Sequence, residues 1–273
     1  MFLAGWVHRD ISGGNLLWFS ETETEGRGIL SDLEYAKKFD ANGQGSADPK
    51  TDTQGTPFFM AIEIQRRDHI YQPRKAVGLK ELPKRSAIKH SKPPLMIHNF
   101  EHDLESLFWV LLWTITIRAG DESTQQHVAS IFQQSSHCSR ERGKVITSGS
   151  EIVEELEELL PQELKEFLEY IEVFSCVLMD GYLTRKFELG KLPTYSRLYG
   201  LVRQLLSECL RVAEGLNTPL LLLNISRQDT QTKEVHPLAP QTRKRVPSTT
   251  KAGAGSTSRK SQHISKDGKS TRG

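Results

Sequence analysis

Apolar positions in the first forty residues come in short runs. Asn15–Phe19 (NLLWF) has the length of a strand, Gly28–Leu30 is a second, and the polar stretch Ser20–Arg27 between them reads as a hairpin connection. From Asp40 to Thr56 the chain is rich in Gly, Asp, Thr and Ser, which predicts an exposed loop. Residues 64–98 are irregular and basic, and Pro73, Pro83, Pro93 and Pro94 interrupt any long element. They read as a surface insertion, partly disordered. After that the period becomes helical. Asp103–Arg118 is apolar on nearly all sides, as a fully buried helix would be. Shorter helices are predicted over Thr124–Gln134 and Ser150–Leu160, and longer ones over Gln162–Met179 and Thr194–Leu216. The last carries Leu198, Leu201, Val202, Leu205, Leu206 and Leu210 on one stripe. The expected fold class is α+β, mainly α: a small β-hairpin region followed by a helical bundle.

Charge divides the chain in two. The formal net charge of the 273 residues is only +2, yet residues 224–273 carry a local +8 and the remainder −6. That tail has almost no large apolar groups and no periodicity, so it is expected to be disordered. The domain reading is therefore a folded unit over 1–223 and a basic disordered tail over 224–273. Arg243-Lys244-Arg245 and Arg259-Lys260 are the only sequence features suggesting a nucleic-acid contact or nuclear address, and a solvated tail explains them equally well. Cys138, Cys176 and Cys209 are scattered and odd in number, which argues against a disulfide framework or zinc site and for reduced thiols inside a cell, in cytoplasm or nucleus. The most apolar run, Leu107–Ile117, is too short for a membrane span, and no membrane association is expected.

Candidate chemistry lies in short motifs in a fixed order. His8-Arg9-Asp10 followed by Asn15 spells H-R-D-x-x-x-x-N. Then come Ser31-Asp32-Leu33-Glu34, Gly55-Thr56-Pro57-Phe58-Phe59-Met60-Ala61-Ile62-Glu63, and His102-Asp103-Leu104-Glu105-Ser106 at the head of the apolar helix. Singly, each has a plain structural reading, such as Asp103 being a helix cap. Together, the chain resembles the C-terminal lobe of protein kinases, and the spelling is most similar to the fungal-type protein kinase family. The resemblance covers roughly residues 6–118 by motif. It implies a kinase-like C-terminal lobe, Ser/Thr protein phosphorylation, and ATP and Mg²⁺ as cofactors. Asp10 would orient the acceptor hydroxyl and take its proton, with Thr56 fixing its carboxylate. Asn15 and Asp32 would offer oxygen to Mg²⁺, a hard cation. His8, Arg9, Glu63 and Asp103 would be structural: Glu63 in a buried ion pair with an arginine, Arg185 or Arg197, and Asp103 holding the catalytic-loop backbone. Thr51 and Thr53 are candidate phosphorylation sites by position alone.

The chain also departs from that pattern. Seven residues precede His8, and nothing in the sequence spells a Gly-rich phosphate loop followed by V-A-I-K. Ser12 stands where Ser/Thr kinases place a lysine, Leu33-Glu34 replace Phe-Gly, and Ile62 replaces the proline of A-P-E. The expectation is a polypeptide that does not turn over ATP alone and that a partner resembling the N-terminal lobe would complete. Met1 could equally be an internal methionine of a longer protein. Two further readings stand beside the enzyme: a non-catalytic pseudokinase or interaction protein with an unidentified protein partner, and a small-molecule phosphotransferase of the aminoglycoside or choline kinase type. The segment Gly55–Glu63 speaks against the latter.

Overall fold

The computed structural model describes residues 1–20, 26–40, 55–69, 96–135, 137–185 and 190–216, the Arg185 side chain excepted. Thr51, Thr53, most of the basic insertion and the whole tail fall outside the described residues. The chain divides into Met1–Ser226 and Arg227–Gly273, and the second unit is likewise outside them.

Two small antiparallel ribbons open the fold. β1 (Trp6–Val7) pairs with β4 (Lys37–Lys38), and β2 (Leu16–Ser20) pairs with β3 (Gly26–Leu30) in the register Leu16↔Leu30. The apolar runs anticipated β2 and β3; β1 and β4 are only two residues each and carry no alternation to read. Every β2 residue is exposed, Trp18 at 72%. The β1–β4 ribbon instead lies on an aromatic cluster. Val7, Phe100 and Tyr195 are buried there, and Phe2 stacks on Tyr199 at 4.6 Å while Phe39 tilts against Phe100 at 4.9 Å. Such contacts seat the start of the chain on the helices.

Among the described residues seven α-helices follow: α1 (Ile62–Arg66), α2 (Phe100–Trp113), α3 (Glu122–Val128), α4 (Arg140–Thr147), α5 (Gly149–Leu159), α6 (Gln162–Arg185) and α7 (Leu192–Gly215). α2 runs through the core, with Phe100, Leu104, Phe108, Trp109 and Leu112 all buried, and packs against α6 and α7. It begins three residues earlier than its apolar pattern suggests. Asn99 is its cap, accepting the Glu101 N–H at 2.9 Å, while His102 Nδ1 accepts the Asn99 N–H at 3.1 Å. A histidine thus takes the place that Glu or Gln holds in the usual reciprocal cap, and Asp103 is left for other work.

Other boundaries shift for physical reasons. The expected helix to Arg118 widens into a π turn over Thr114–Arg118. Thr114 and Thr116 hydroxyls donate back to the Val110 and Leu112 carbonyls at 2.7 Å each, competing with the regular ladder. The start of the expected insertion is helical: Ile62–Gln65 are buried, and α1 stops only at Arg67, whose φ of 55° is left-handed. The helix expected to Gln134 stops at Val128. α4 was not anticipated, because Arg-Glu-Arg-Gly-Lys gives no apolar period. A Cβ at its Gly143 would lie 2.3 Å from Arg66 Nη2, so a side chain there would displace the end of that exposed arginine.

Candidate active site

The chain leaves β1 at Val7 and turns sharply. Arg9 has φ 75°, and this left-handed residue aims two consecutive backbone N–H groups at one carboxylate. Asp103 Oδ2 accepts from His8 N at 2.7 Å and Oδ1 from Arg9 N at 3.0 Å. Both residues are buried, so these bonds replace water the backbone would otherwise need. His8 closes the loop from the other side. Its Nδ1 accepts the Asp10 N–H at 3.3 Å, and its Nε2 donates to the Ser31 carbonyl at 2.9 Å, a pattern that fixes the neutral tautomer.

Asp10 is thereby presented at the surface of the loop. Its Oδ1 accepts two bonds from Thr56, from the backbone N–H at 2.9 Å and the hydroxyl at 3.2 Å. Oδ2 has Asn15 Nδ2 at 3.5 Å, the limit of a hydrogen bond. Thr56 can approach so closely because Gly55 precedes it. Gly55 has φ +136°, and a Cβ there would stand 3.2 Å from the Arg9 carbonyl oxygen.

Asn15 Nδ2 donates to the Asp10 carbonyl at 2.9 Å, which leaves the amide oxygen uncommitted by that bond. The Asn15 carbonyl accepts from Ser31 N at 2.9 Å and Ser31 Oγ at 3.2 Å. The β2–β3 ribbon therefore brings Asn15 and Asp32 to the same end, and Asp32, with φ 58°, departs from the ribbon in a left-handed turn. An amide oxygen and an exposed carboxylate at one ribbon end fit a hard, oxygen-seeking cation. Among the described residues no group of three His, Cys, Asp or Glu is arranged to hold a metal.

Behind this face lies a buried polar array that motif reading located only in part. Glu63, for which an arginine partner was expected, meets His102 Nε2 at 3.2 Å and His69 Nδ1 at 3.4 Å. The Arg185 side chain is outside the described residues, and Arg197 lines a surface groove with Asp180 and Thr194. His102 is fully buried, which pushes its pKa down despite Glu63. As a neutral ring it accepts at Nδ1 and donates at Nε2. Burial would raise Glu63, but the two histidines outweigh it and hold its pKa at about 2. Glu63 raises His69 in return, against its partial burial. Asp103, where burial acts upward, is likewise held below the usual carboxylate range by His98 (3.2 Å) and the two loop N–H groups.

These shifts have opposite signs in pH. Glu63 is depressed from 4.5 to about 2, so its contribution, roughly 3 kcal/mol, is present above about pH 4.5 and lost as pH falls toward 2. His69 is raised above 6.5, so its contribution is complete below pH 6.5 and lost as pH rises through its folded value. The stability difference between the native chain and Glu63→Gln is expected to peak between about pH 4.5 and 6.5. Urea unfolding of both proteins from pH 3 to 9 measures it, and a difference independent of pH would refute the assignment.

Two buried residues were missed by motif reading. Glu105 Oε1 accepts from Ile62 N at 2.9 Å and Trp109 Nε1 at 2.8 Å, and its Oε2 accepts the Tyr182 hydroxyl. Arg142, on α4, lays its guanidinium 3.9 Å from the Trp109 ring centre and donates from Nη2 to the Met60 carbonyl at 2.8 Å. A carboxylate inside an otherwise apolar helix was the available signal for Glu105; nothing in the sequence flags Arg142.

A helical lobe carrying an H-R-D loop anchored on a buried helix aspartate, an Asn and Asp at one ribbon end, and a Gly-Thr turn bonded to the loop aspartate together resemble the corresponding face of a protein kinase C-terminal lobe. Residues 1–115 are similar to the fungal protein kinase family. No curated protein and no solved structure matches it.

Proposed function

We propose that this face is built for Mg²⁺-dependent phosphoryl transfer from ATP to a Ser or Thr hydroxyl of a protein. The observation that carries the reading is the pair of Thr56 bonds to Asp10 Oδ1. They hold one oxygen and leave Oδ2 to orient an acceptor hydroxyl and receive its proton. Asn15, through its amide oxygen, and Asp32, through its carboxylate, would hold the cation. When bound, Mg²⁺ supplies neutralisation of phosphate charge. The turn Gly55–Met60, seated against Asp10, favours a polypeptide acceptor over a small molecule.

Ser12 offers no cation for the transferred phosphate, and Glu34 stands where the family pattern has glycine. Turnover by the 273-residue polypeptide alone is therefore not expected. That departure, with the exposed β2–β3 ribbon, favours a second reading, a non-catalytic member of the family that binds a lobe-like protein partner. Under either reading the scattered cysteines are what favour a reducing compartment, cytoplasm or nucleus. Among the described residues no helix is long and apolar enough to cross a membrane.

Metal binding tests the first reading without requiring turnover. Mn²⁺ titrated into the labelled chain is expected to broaden the Asn15, Ser31 and Asp32 amide signals first, and Asp32→Ala to weaken that binding at least about ten-fold. Broadening spread evenly over acidic surface residues, or unchanged in Asp32→Ala, would sink it and leave the interaction reading.

A further inference from the structure

Position 62 is where the A-P-E pattern has proline, a residue without a backbone N–H. Ile62 has one, and it is used: it donates to Glu105 Oε1 at 2.9 Å. Ile62 and Glu105 are both fully buried, so the bond has no ready replacement by water. On the other side of Ala61, Arg142 donates to the Met60 carbonyl at 2.8 Å. The chain around Ala61 is thus gripped from α2 and from α4. Upstream, the Phe59 and Met60 N–H groups both return to the Thr56 carbonyl, at 2.9 and 3.1 Å. Thr56 in turn carries its two bonds to Asp10. A continuous path therefore runs from Glu105 to the Asp10 carboxylate: one hydrogen bond to Ile62, two peptide links to Met60, and the closed Thr56–Met60 turn.

Glu105 is itself held rigid. Trp109 Nε1 and the Tyr182 hydroxyl occupy its oxygens, and the Trp109 ring is covered by Arg142. Proline at the first helical position supplies a preset φ near −65°. Ile62 lacks that constraint, and the carboxylate supplies an anchor in its place.

We propose that Glu105 is a positioning residue that, through the Ile62 N–H, sets the turn bringing Thr56 onto Asp10. It rests on the phosphoryl-transfer reading only in taking Asp10 as the carboxylate to be positioned. Its test involves neither nucleotide nor metal, so the two can fail separately.

The test is a double-mutant cycle in the full chain. Ile62→Pro deletes the donor, Glu105→Leu deletes the acceptor, and Glu105→Gln keeps an acceptor oxygen. The readouts are the unfolding equilibrium in urea and the exchange rate of the Thr56 amide. Ile62→Pro alone is expected to lower the folding constant and to speed Thr56 exchange, each about ten-fold, because it leaves a buried oxygen short of a partner. In the Glu105→Leu background the same change is expected to move either quantity less than about three-fold. Glu105→Gln is expected to keep Thr56 exchange within about three-fold of the native rate. Additive effects would overturn the proposal. So would a loss of stability in Glu105→Leu with Thr56 exchange unmoved, since that outcome assigns Glu105 to packing alone. Should Glu105→Leu fail to fold, Ile62→Pro decides by itself: native-like Thr56 protection in that variant overturns the proposal, and its loss supports it.

Discussion

Alanine at position 103 is expected to unseat the His8–Asn15 loop and cost about 3–5 kcal/mol of folding stability. Both carboxylate oxygens of Asp103 are committed to backbone donors, His8 N and Arg9 N, and His98 adds a third contact at Oδ1. All the partners are buried or nearly so, and removing the acceptor strands two N–H groups where water does not reach. The left-handed turn at Arg9 is opposed by its own side chain, and the pairing of both donors helps to hold it. Asp103→Asn keeps one acceptor oxygen and points an amide donor at the other N–H, so an intermediate loss is expected. Denaturant unfolding gives the magnitude, and amide exchange at His8 and Arg9 gives the location. A loss below about 1 kcal/mol with those amides still protected would contradict the anchoring role.

Arg142→Ala is expected to cost about 3–4 kcal/mol, for a different reason. The side chain is almost fully buried, and burial pushes its pKa down to about 10. Among the described residues no carboxylate forms a direct ion pair with it, and its Nε lacks a hydrogen-bond partner. What it contributes is volume against Trp109 and a donor to Met60. Alanine removes both and leaves a cavity. Methionine keeps most of the volume, loses the donor, and relieves a buried charge, so Arg142→Met is expected to lose only about 1 kcal/mol. Thermal unfolding of the pair separates the two causes. If methionine proved as damaging as alanine, the hydrogen bond to Met60 would outweigh the packing.

The residues that touch the face could be picked from the sequence because their chemistry restricts them to a few types at fixed spacing. His8, Asp10, Asn15, Thr56 and Asp103 were named from motifs, and the structure brings them within hydrogen-bond reach of one another or of a shared backbone segment. What supports them was harder to see. Glu63 was expected to pair with Arg185 or Arg197, and the Arg185 side chain lies outside the described residues; its contacts with histidines 6 and 39 positions away had no motif to announce them. His102 was read as a motif letter, yet it caps α2 through one nitrogen and holds Glu63 through the other. A buried histidine that accepts and donates in this way has no local sequence signature, since both partners are tertiary or backbone groups. α4 was invisible for the opposite reason. Its composition is polar, and its place in the fold comes from Arg142, which bonds the Met60 carbonyl and covers the Trp109 ring. The π turn after α2 follows from two threonines whose effect on the ladder cannot be told from sequence alone.

The β2–β3 ribbon has a practical side. Leu16, Leu17, Trp18, Phe19 and Ile29 all face solvent on a two-stranded ribbon whose outer edges are unpaired among the described residues. Colloidal repulsion offers this surface little protection, because the chain carries only +2 overall and reaches zero near pH 8.4. Mildly alkaline buffers, the usual choice for purification, therefore sit where edge-to-edge association is least opposed. Mildly acidic buffers raise the net positive charge of the chain as a whole, and between about pH 4.5 and 6.5 they also lie in the range where Glu63 and His69 are both in their favoured states.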